Sequence, residues 1–371
     1  MTDTDRTSAE EPSHTADLNF RSDNVATASP EILQALMKAN QGPAASYGED
    51  EYSALLNRRF SALFEREVTV FPVSTGTAAN ALALASCARP WGAIYCHEDA
   101  HIHTAEGGAT EAFTGGAKLI ALPGEQFRLS PARLQEALAQ AQRGVRNRPQ
   151  PDAVSITQAS EYGTVYPLAD IAGIGDIARR ENLLFHMDGA RFANAVATLR
   201  CSLAEMTWRA GVDILSFGAT KNGAMAAEAI VVFEPTLVEP LSYRLRRAGQ
   251  TWSKMRYAAA QLIAYVEDDL FLRNATHANT LASRLADGLS RLPRVGLLAP
   301  VEANLVFAAL PEPAIDVLVA AGARFARRKD GIVRLVTRFD GREADVDRFV
   351  ALARKALAPD GAAPESRAPS G

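Results

Sequence analysis

Val212-Asp213-Ile214-Leu215-Ser216-Phe217-Gly218-Ala219-Thr220-Lys221-Asn222-Gly223 is an apolar run that ends on a single lysine. A second apolar run upstream ends in His186-Met187-Asp188-Gly189-Ala190-Arg191. An acid at the end of one strand and a lysine at the end of a neighbouring one suit pyridoxal 5'-phosphate (PLP). The carboxylate can keep the pyridine nitrogen protonated, and the amine can form a Schiff base.

Outward from these two runs, strands and helices alternate. Strands are expected at residues 68–73, 93–96, 118–122, 153–157, 183–187, 213–217 and 229–233. Helices are expected between them at 77–87, 131–142, 168–180 and 203–210. Such alternation predicts an α/β fold, a mostly parallel seven-stranded sheet between helices. Before it, Ser29-Pro30-Glu31 predicts a helix capped by the serine with proline in its first turn. Leu55, Leu56, Phe60, Leu63 and Phe64 mark a second helix.

The last third changes character. One long helical region is expected over 255–292, then strands at 304–309 and 333–337 with helices at 315–320 and 345–357. The division predicted is a large cofactor-binding domain, 18–255, that includes the N-terminal segment, and a small C-terminal α+β domain, 256–357. The polar tail 1–17 and the Ala/Pro/Gly/Ser-rich tail 358–371 are expected to be disordered.

The chain has 371 residues, 22% of them charged, with a formal net charge of −4. That balance predicts no nucleic-acid partner. No apolar stretch approaches spanning length, so no membrane partner is expected. Three cysteines, Cys87, Cys96 and Cys201, give no disulfide framework or zinc spacing and suit a reducing compartment. With no signal-peptide core at the start, the expected location is the cytoplasm.

Ser74-Thr75-Gly76-Thr77 follows a strand and opens a helix. Free backbone N–H groups there, with small hydroxyl side chains, make a phosphate cradle. The same residues are equally compatible with a tight turn that needs Gly76 for its shape. His97, His101 and His103 cluster after a strand. No second ligand group accompanies them, so no metal is expected. The flat imidazole of His101 can stack on a cofactor ring or act as an acid or base, its ordinary pKa being about 6.5. Glu106-Gly107-Gly108 predicts a close backbone approach. Arg191 precedes apolar residues, and a buried arginine needs an anion, for which a substrate carboxylate is suited. Arg334 and Arg338 share one face of their strand. That face is either solvated or, at Arg334, a second clamp on the carboxylate.

Together these pieces resemble the L-threonine aldolase family, aspartate-aminotransferase-type (fold type I) PLP enzymes, in order and spacing over most of the chain. The resemblance is carried by Arg21-Ser22-Asp23, Tyr47-Gly48-Glu49-Asp50, Ala100-His101 with Glu106-Gly107-Gly108, residues 186 to 191, Met255-Arg256 and Arg334-Leu335-Val336-Thr337. It implies Lys221 as the Schiff-base lysine and Asp188 as the partner of the pyridine nitrogen. It implies phosphate binding by Thr75, Gly76 and Thr77, with Thr220 beside the lysine. His101 is implied to stack on the ring, and Ser22, Arg191 and Arg334 to hold the substrate carboxylate. Arg256 is implied to reach the phosphate of a neighbouring subunit, and Tyr47 to border the adjacent site. The partners implied are a small amino-acid substrate and further copies of the chain, in a dimer or homotetramer with shared active sites.

Where many members carry a histidine in an Asn-Thr-His-Asn segment, this chain reads Gln158-Ala159-Ser160-Glu161. The lysine motif is Ala-Thr-Lys-Asn-Gly instead of Leu-Ser-Lys-Gly. Both features are similar to the low-specificity L-threonine and phenylserine aldolase branch. The activity implied is retro-aldol Cα–Cβ cleavage of L-threonine, L-allo-threonine or phenylserine to glycine and an aldehyde. His101, or Glu161 through a water, would take the β-hydroxyl proton. A β-eliminating lyase or aminotransferase is the alternative on the same fold. A non-catalytic binding module is the alternative from another class.

Overall fold

A computed structural model of the chain describes residues 18–358. The tails expected to be disordered fall outside the described residues, except for Ala358, whose N–H donates to the Lys355 carbonyl.

Seven strands form the main sheet: β1 (Thr69–Val73), β2 (Gly92–His97), β3 (Lys118–Leu122), β4 (Gln150–Thr157), β5 (Leu184–Gly189), β6 (Ile214–Phe217) and β7 (Glu228–Val232). Their spatial order is β1-β7-β6-β5-β4-β2-β3. Only β7 runs against its neighbours. The other pairings are parallel. Strands β2, β6 and β7 are buried along their whole length. That is why they read as unbroken apolar runs: helices cover both faces of the sheet.

The helix Gly76–Cys87 lies against one face and is buried almost all round, which explains its alanine-rich composition. The helices Pro30–Ala39 and Glu51–Leu63 pack together with Arg256–Val266. Ser29 does not cap the first of these. Its hydroxyl instead receives the Asn274 amide at 3.1 Å, so tertiary contact overrides the local signal.

The expected long helix divides. Arg256–Val266 and Leu270–Ser290 are separated by Glu267–Asp269, where Asp268 and Asp269 take φ of 50° and 54°. Aspartate tolerates the left-handed region better than most residues. Among the helices that the sequence did not make apparent are Phe192–Leu199 and Val238–Arg247. The first is short and mostly apolar, so its periodicity does not distinguish it from a strand.

Four more strands, β8 (Gly296–Leu297), β9 (Leu305–Ala309), β10 (Ala326–Arg327) and β11 (Ile332–Val336), form an antiparallel sheet in the order β10-β11-β9-β8. It has a core of its own with the far half of Leu270–Ser290 and the helix Glu343–Ala356. Residues Met255 to Ala275 pack instead with the main core. Leu18 and Phe20 belong to the second core, and the Phe20 carbonyl receives the Val336 N–H at 2.9 Å. Residues 18–20 thus pack on the small sheet, ahead of the main-sheet strands in the chain. No helix among the described residues is long and apolar enough to cross a membrane.

Candidate active site

The carboxyl ends of β1, β2, β4, β5 and β6 open onto one cavity of about 280 Å³. Open α/β sheets bind ligands at this edge. Thr75, Gly76, Thr77, His101, Glu161, Asp188, Thr220 and Lys221 all line it. Residues far apart in sequence therefore converge, with the lysine and the acid facing the same space.

Thr75 caps the helix Gly76–Cys87, its hydroxyl accepting the Ala78 N–H at 3.1 Å. Gly76 has no positive φ, and a Cβ added there would meet nothing within 4 Å. The turn itself does not require glycine. What a side chain would fill is the cradle at the helix start, where N–H groups are available to an anion.

Asp188 closes the opposite side. Its Oδ2 receives the Asn80 amide at 2.8 Å and its Oδ1 the Ala190 N–H at 3.0 Å. Two donors keep this buried oxygen pair suited to a cationic partner. One face below, His186 lies buried between Ser155 (2.9 Å) and Ser216 (3.0 Å), and burial lowers its pKa to about 4.

His101 heads a short helix, His101–Thr104, and its Nδ1 lies 2.8 Å from Glu106 Oε1. That hydrogen bond raises the His101 pKa against the opposing effect of burial, with Glu161 and Asp188 adding to it. Glu161 is raised by burial and by Asp188, despite the nearby charges of His101, Arg191 and Lys221. Gly107 and Gly108 adopt φ of 60° and 75°, and neither meets a close neighbour. Their requirement is therefore left-handed backbone, and the expected close approach is absent.

The anion demanded by Arg191 is Asp23. Nε donates to it at 2.8 Å and a terminal nitrogen at 3.1 Å. Burial works against the Asp23 charge, but Arg191, Lys221 and the Asn304 amide outweigh it and hold its carboxyl below the ordinary range. Ser22 caps the short turn Asp23–Val25 through the Asn24 N–H at 3.2 Å, and Asn24 lines the cavity.

Arg334 is different. A terminal nitrogen reaches the Arg21 carbonyl at 3.3 Å, while its Nε is buried without a hydrogen-bond partner. Burial, then Arg191 and Arg328, push its pKa down. It is a desolvated cation beside two others, the environment an incoming carboxylate relieves.

Tyr47 and Arg256 do not line this cavity. Arg256 donates to the Gly42 carbonyl at 3.0 Å and to the Tyr257 hydroxyl at 3.3 Å. Tyr47 is half exposed under the Arg246 guanidinium. His97, Glu98 and Asp99 bring possible ligand atoms within 4.8 Å of one another, and neither His101 nor His103 joins that group.

Three polar residues at the site had no role from the sequence: Asn80, Asp23 and Glu228. Asn80 is a buried amide in an alanine- and leucine-rich helix. Glu228 is an acid heading an apolar strand. Its carboxylate accepts the Ala219 N–H at 2.7 Å and thereby holds the loop that carries Lys221.

These features fit PLP. A lysine, an acid that accepts two hydrogen bonds, an open helix start and an imidazole surround one space of suitable size. The profile of the beta-eliminating lyase family matches residues 19–312. A low specificity L-threonine aldolase of Pseudomonas aeruginosa is 43% identical over 90% of this chain and 96% of its own length. One from Pseudomonas sp. strain NCIMB 10558 is 41% identical with the same coverage. The solved threonine aldolase of Leishmania major superposes with a TM-score of 0.85 at 28% identity, over 92% of this chain and 99% of that one. Catharanthus roseus tryptophan decarboxylase, at 14% identity and a TM-score of 0.72, shares the fold alone. The aspartate-aminotransferase-like architecture expected from the sequence is thus the observed one. By sequence and by structure, this chain belongs to the beta-eliminating lyase family, among the low specificity L-threonine aldolases.

Proposed function

We propose that this chain, with PLP bound, cleaves L-threonine, L-allo-threonine and related β-hydroxy-α-amino acids such as phenylserine to glycine and an aldehyde. The observation that carries the reading is the meeting of Lys221 and Asp188 in the lining of one cavity; outside that lining, Arg334, which interacts electrostatically with Glu161, keeps a buried nitrogen without a partner. Lys221 would bond the cofactor's aldehyde carbon, Asp188 its pyridine nitrogen and Thr75, Gly76 and Thr77 its phosphate, with Thr220 alongside. His101 would cover its ring. When bound, PLP supplies an electron sink for the pair released from Cα–Cβ.

The chain's own residues do the rest. Arg334 binds the substrate carboxylate, and Arg191, braced by Asp23, sets the local field beside it. Ser22 places the turn that carries Asp23 and Asn24. Fixing the carboxylate fixes which Cα bond is broken. His101, or Glu161 through a water, would take the β-hydroxyl proton, and both side chains line the cavity. Returning a proton to Cα completes glycine.

The separate cores support division into a large domain and a small C-terminal one. The position of Tyr47 and Arg256 away from their own cavity supports a dimer or homotetramer in which they serve a neighbouring site. The cytoplasm is the proposed setting.

The test is a panel of threonine, allo-threonine and phenylserine isomers, with aldehyde and glycine followed for each. Pyruvate and ammonia without glycine would instead identify a β-eliminating lyase. Lys221→Ala is expected to abolish turnover and the visible absorption of lysine-bound cofactor. Light-scattering mass measurement tests the oligomer.

A further inference from the structure

We propose that Glu106 and Asn80 are positioning residues that join His101 and Asp188 into one hydrogen-bonded unit and decide which nitrogen of His101 can take a proton. The purpose of this unit rests on the PLP reading; its geometry does not.

The four side chains come from separate elements. Asn80 lies on the helix Gly76–Cys87, Asp188 on β5, and His101 and Glu106 on the segment after β2. The single amide nitrogen of Asn80 donates to Glu106 Oε1 at 2.8 Å and to Asp188 Oδ2 at 2.8 Å. The reverse amide orientation would set an oxygen lone pair against two carboxylates, so this assignment follows from the partners. Glu106 Oε1 also meets His101 Nδ1 at 2.8 Å. Oε1 already accepts from Asn80, and with Oε1 as acceptor again Nδ1 is the donor. The neutral imidazole then carries its hydrogen on Nδ1 and its lone pair on Nε2.

Three carboxylates facing His101 favour the imidazolium: Glu106 beside it, Glu161 from the loop after β4 and Asp188 from β5. Burial opposes them, and Lys221 lines the same cavity. Glu106 therefore plays the part of the carboxylate that orients a catalytic histidine and stabilises its charged form. At the far end, the same Asn80 nitrogen supplies one of the two hydrogen bonds that Asp188 receives. The acid and the imidazole that flank the proposed cofactor site are consequently held by one amide.

The experiment is nitrogen-detected NMR titration of the histidine-labelled full chain, with and without PLP, using His101→Asn to assign the signal. The expected wild-type result is a neutral form protonated on Nδ1 and a midpoint above the ordinary histidine value. Glu106→Gln should lower that midpoint by a unit or more, a tenfold weaker hold on the proton, and Glu106→Asp should restore part of it. Asn80→Ala should weaken PLP retention at least tenfold. A wild-type neutral form protonated on Nε2 overturns the proposal without any variant. So does a His101 midpoint that ignores Glu106→Gln. If the protein takes up no PLP, the functional reading fails, while the titration without cofactor still decides this one.

Discussion

Asp23 and Arg191, 168 positions apart in the chain, form a sealed ion pair in which both carboxylate oxygens receive guanidinium hydrogens. The arginine that ends the His-Met-Asp-Gly-Ala-Arg motif is thereby neutralised by the protein, whereas Arg334 is not.

Breaking a buried pair by removing one partner leaves an uncompensated charge, at a cost of about 3 kcal/mol or more. Asp23→Ala is therefore expected to lower unfolding free energy by about that amount, read from urea transitions. A change below about 1 kcal/mol would mean that solvent reaches Arg191.

Arg334 has the opposite character. Its replacement by leucine removes a cation that burial and two arginines already disfavour. Stability should hold, or rise slightly. Threonine binding should suffer, with KM increasing about 100-fold, the loss of a charge-assisted pair worth about 2–3 kcal/mol. An unchanged KM would remove Arg334 from the carboxylate site.

Gly76 separates folding from cofactor binding. Since nothing lies within 4 Å of its added Cβ, Gly76→Val should leave the cofactor-free protein as stable as before. PLP affinity should fall at least tenfold, or about 1.4 kcal/mol. Equilibrium binding followed by fluorescence checks this, and unaltered affinity would place the phosphate elsewhere.

His186 predicts an acid limit to stability. Its folded pKa of about 4 lies below the ordinary 6.5. The unfolded chain therefore binds the proton more readily. The contribution is complete above pH 6.5 and is lost as pH falls from there towards 4. Its size is about 3 kcal/mol, from about 1.4 kcal/mol per unit. His186→Gln should flatten stability across that window in urea unfolding at several pH values. A slope as steep as that of the unsubstituted protein would assign the effect to other groups.

The element pattern was legible because strands covered on both faces are continuous apolar runs, and helices between them show their own period. The break at Asp268 and Asp269 was not, because periodicity continues through it. Nor was the role of Ser29, whose hydroxyl serves Asn274 in place of its own helix. At the site, Lys221, Asp188, His101 and the Thr75–Thr77 cradle stood out because each ends a strand or opens a helix. Asn80 did not, since hydrogen-bond partners 26 and 108 positions away leave no local trace.

The sequence by itself determined the layered α/β class, the order of its parts and the kind of chemistry that a lysine and an acid at strand ends support. Those are local properties, written in spacing and residue type. Only the tertiary structure decided that Asp23 pairs with Arg191, that Arg334 keeps an unsatisfied nitrogen, and that one amide joins His101 to Asp188 through Glu106. Charge pairing and hydrogen-bond direction depend on distances of about 3 Å between chain segments, and the packing of two cores brings those segments together.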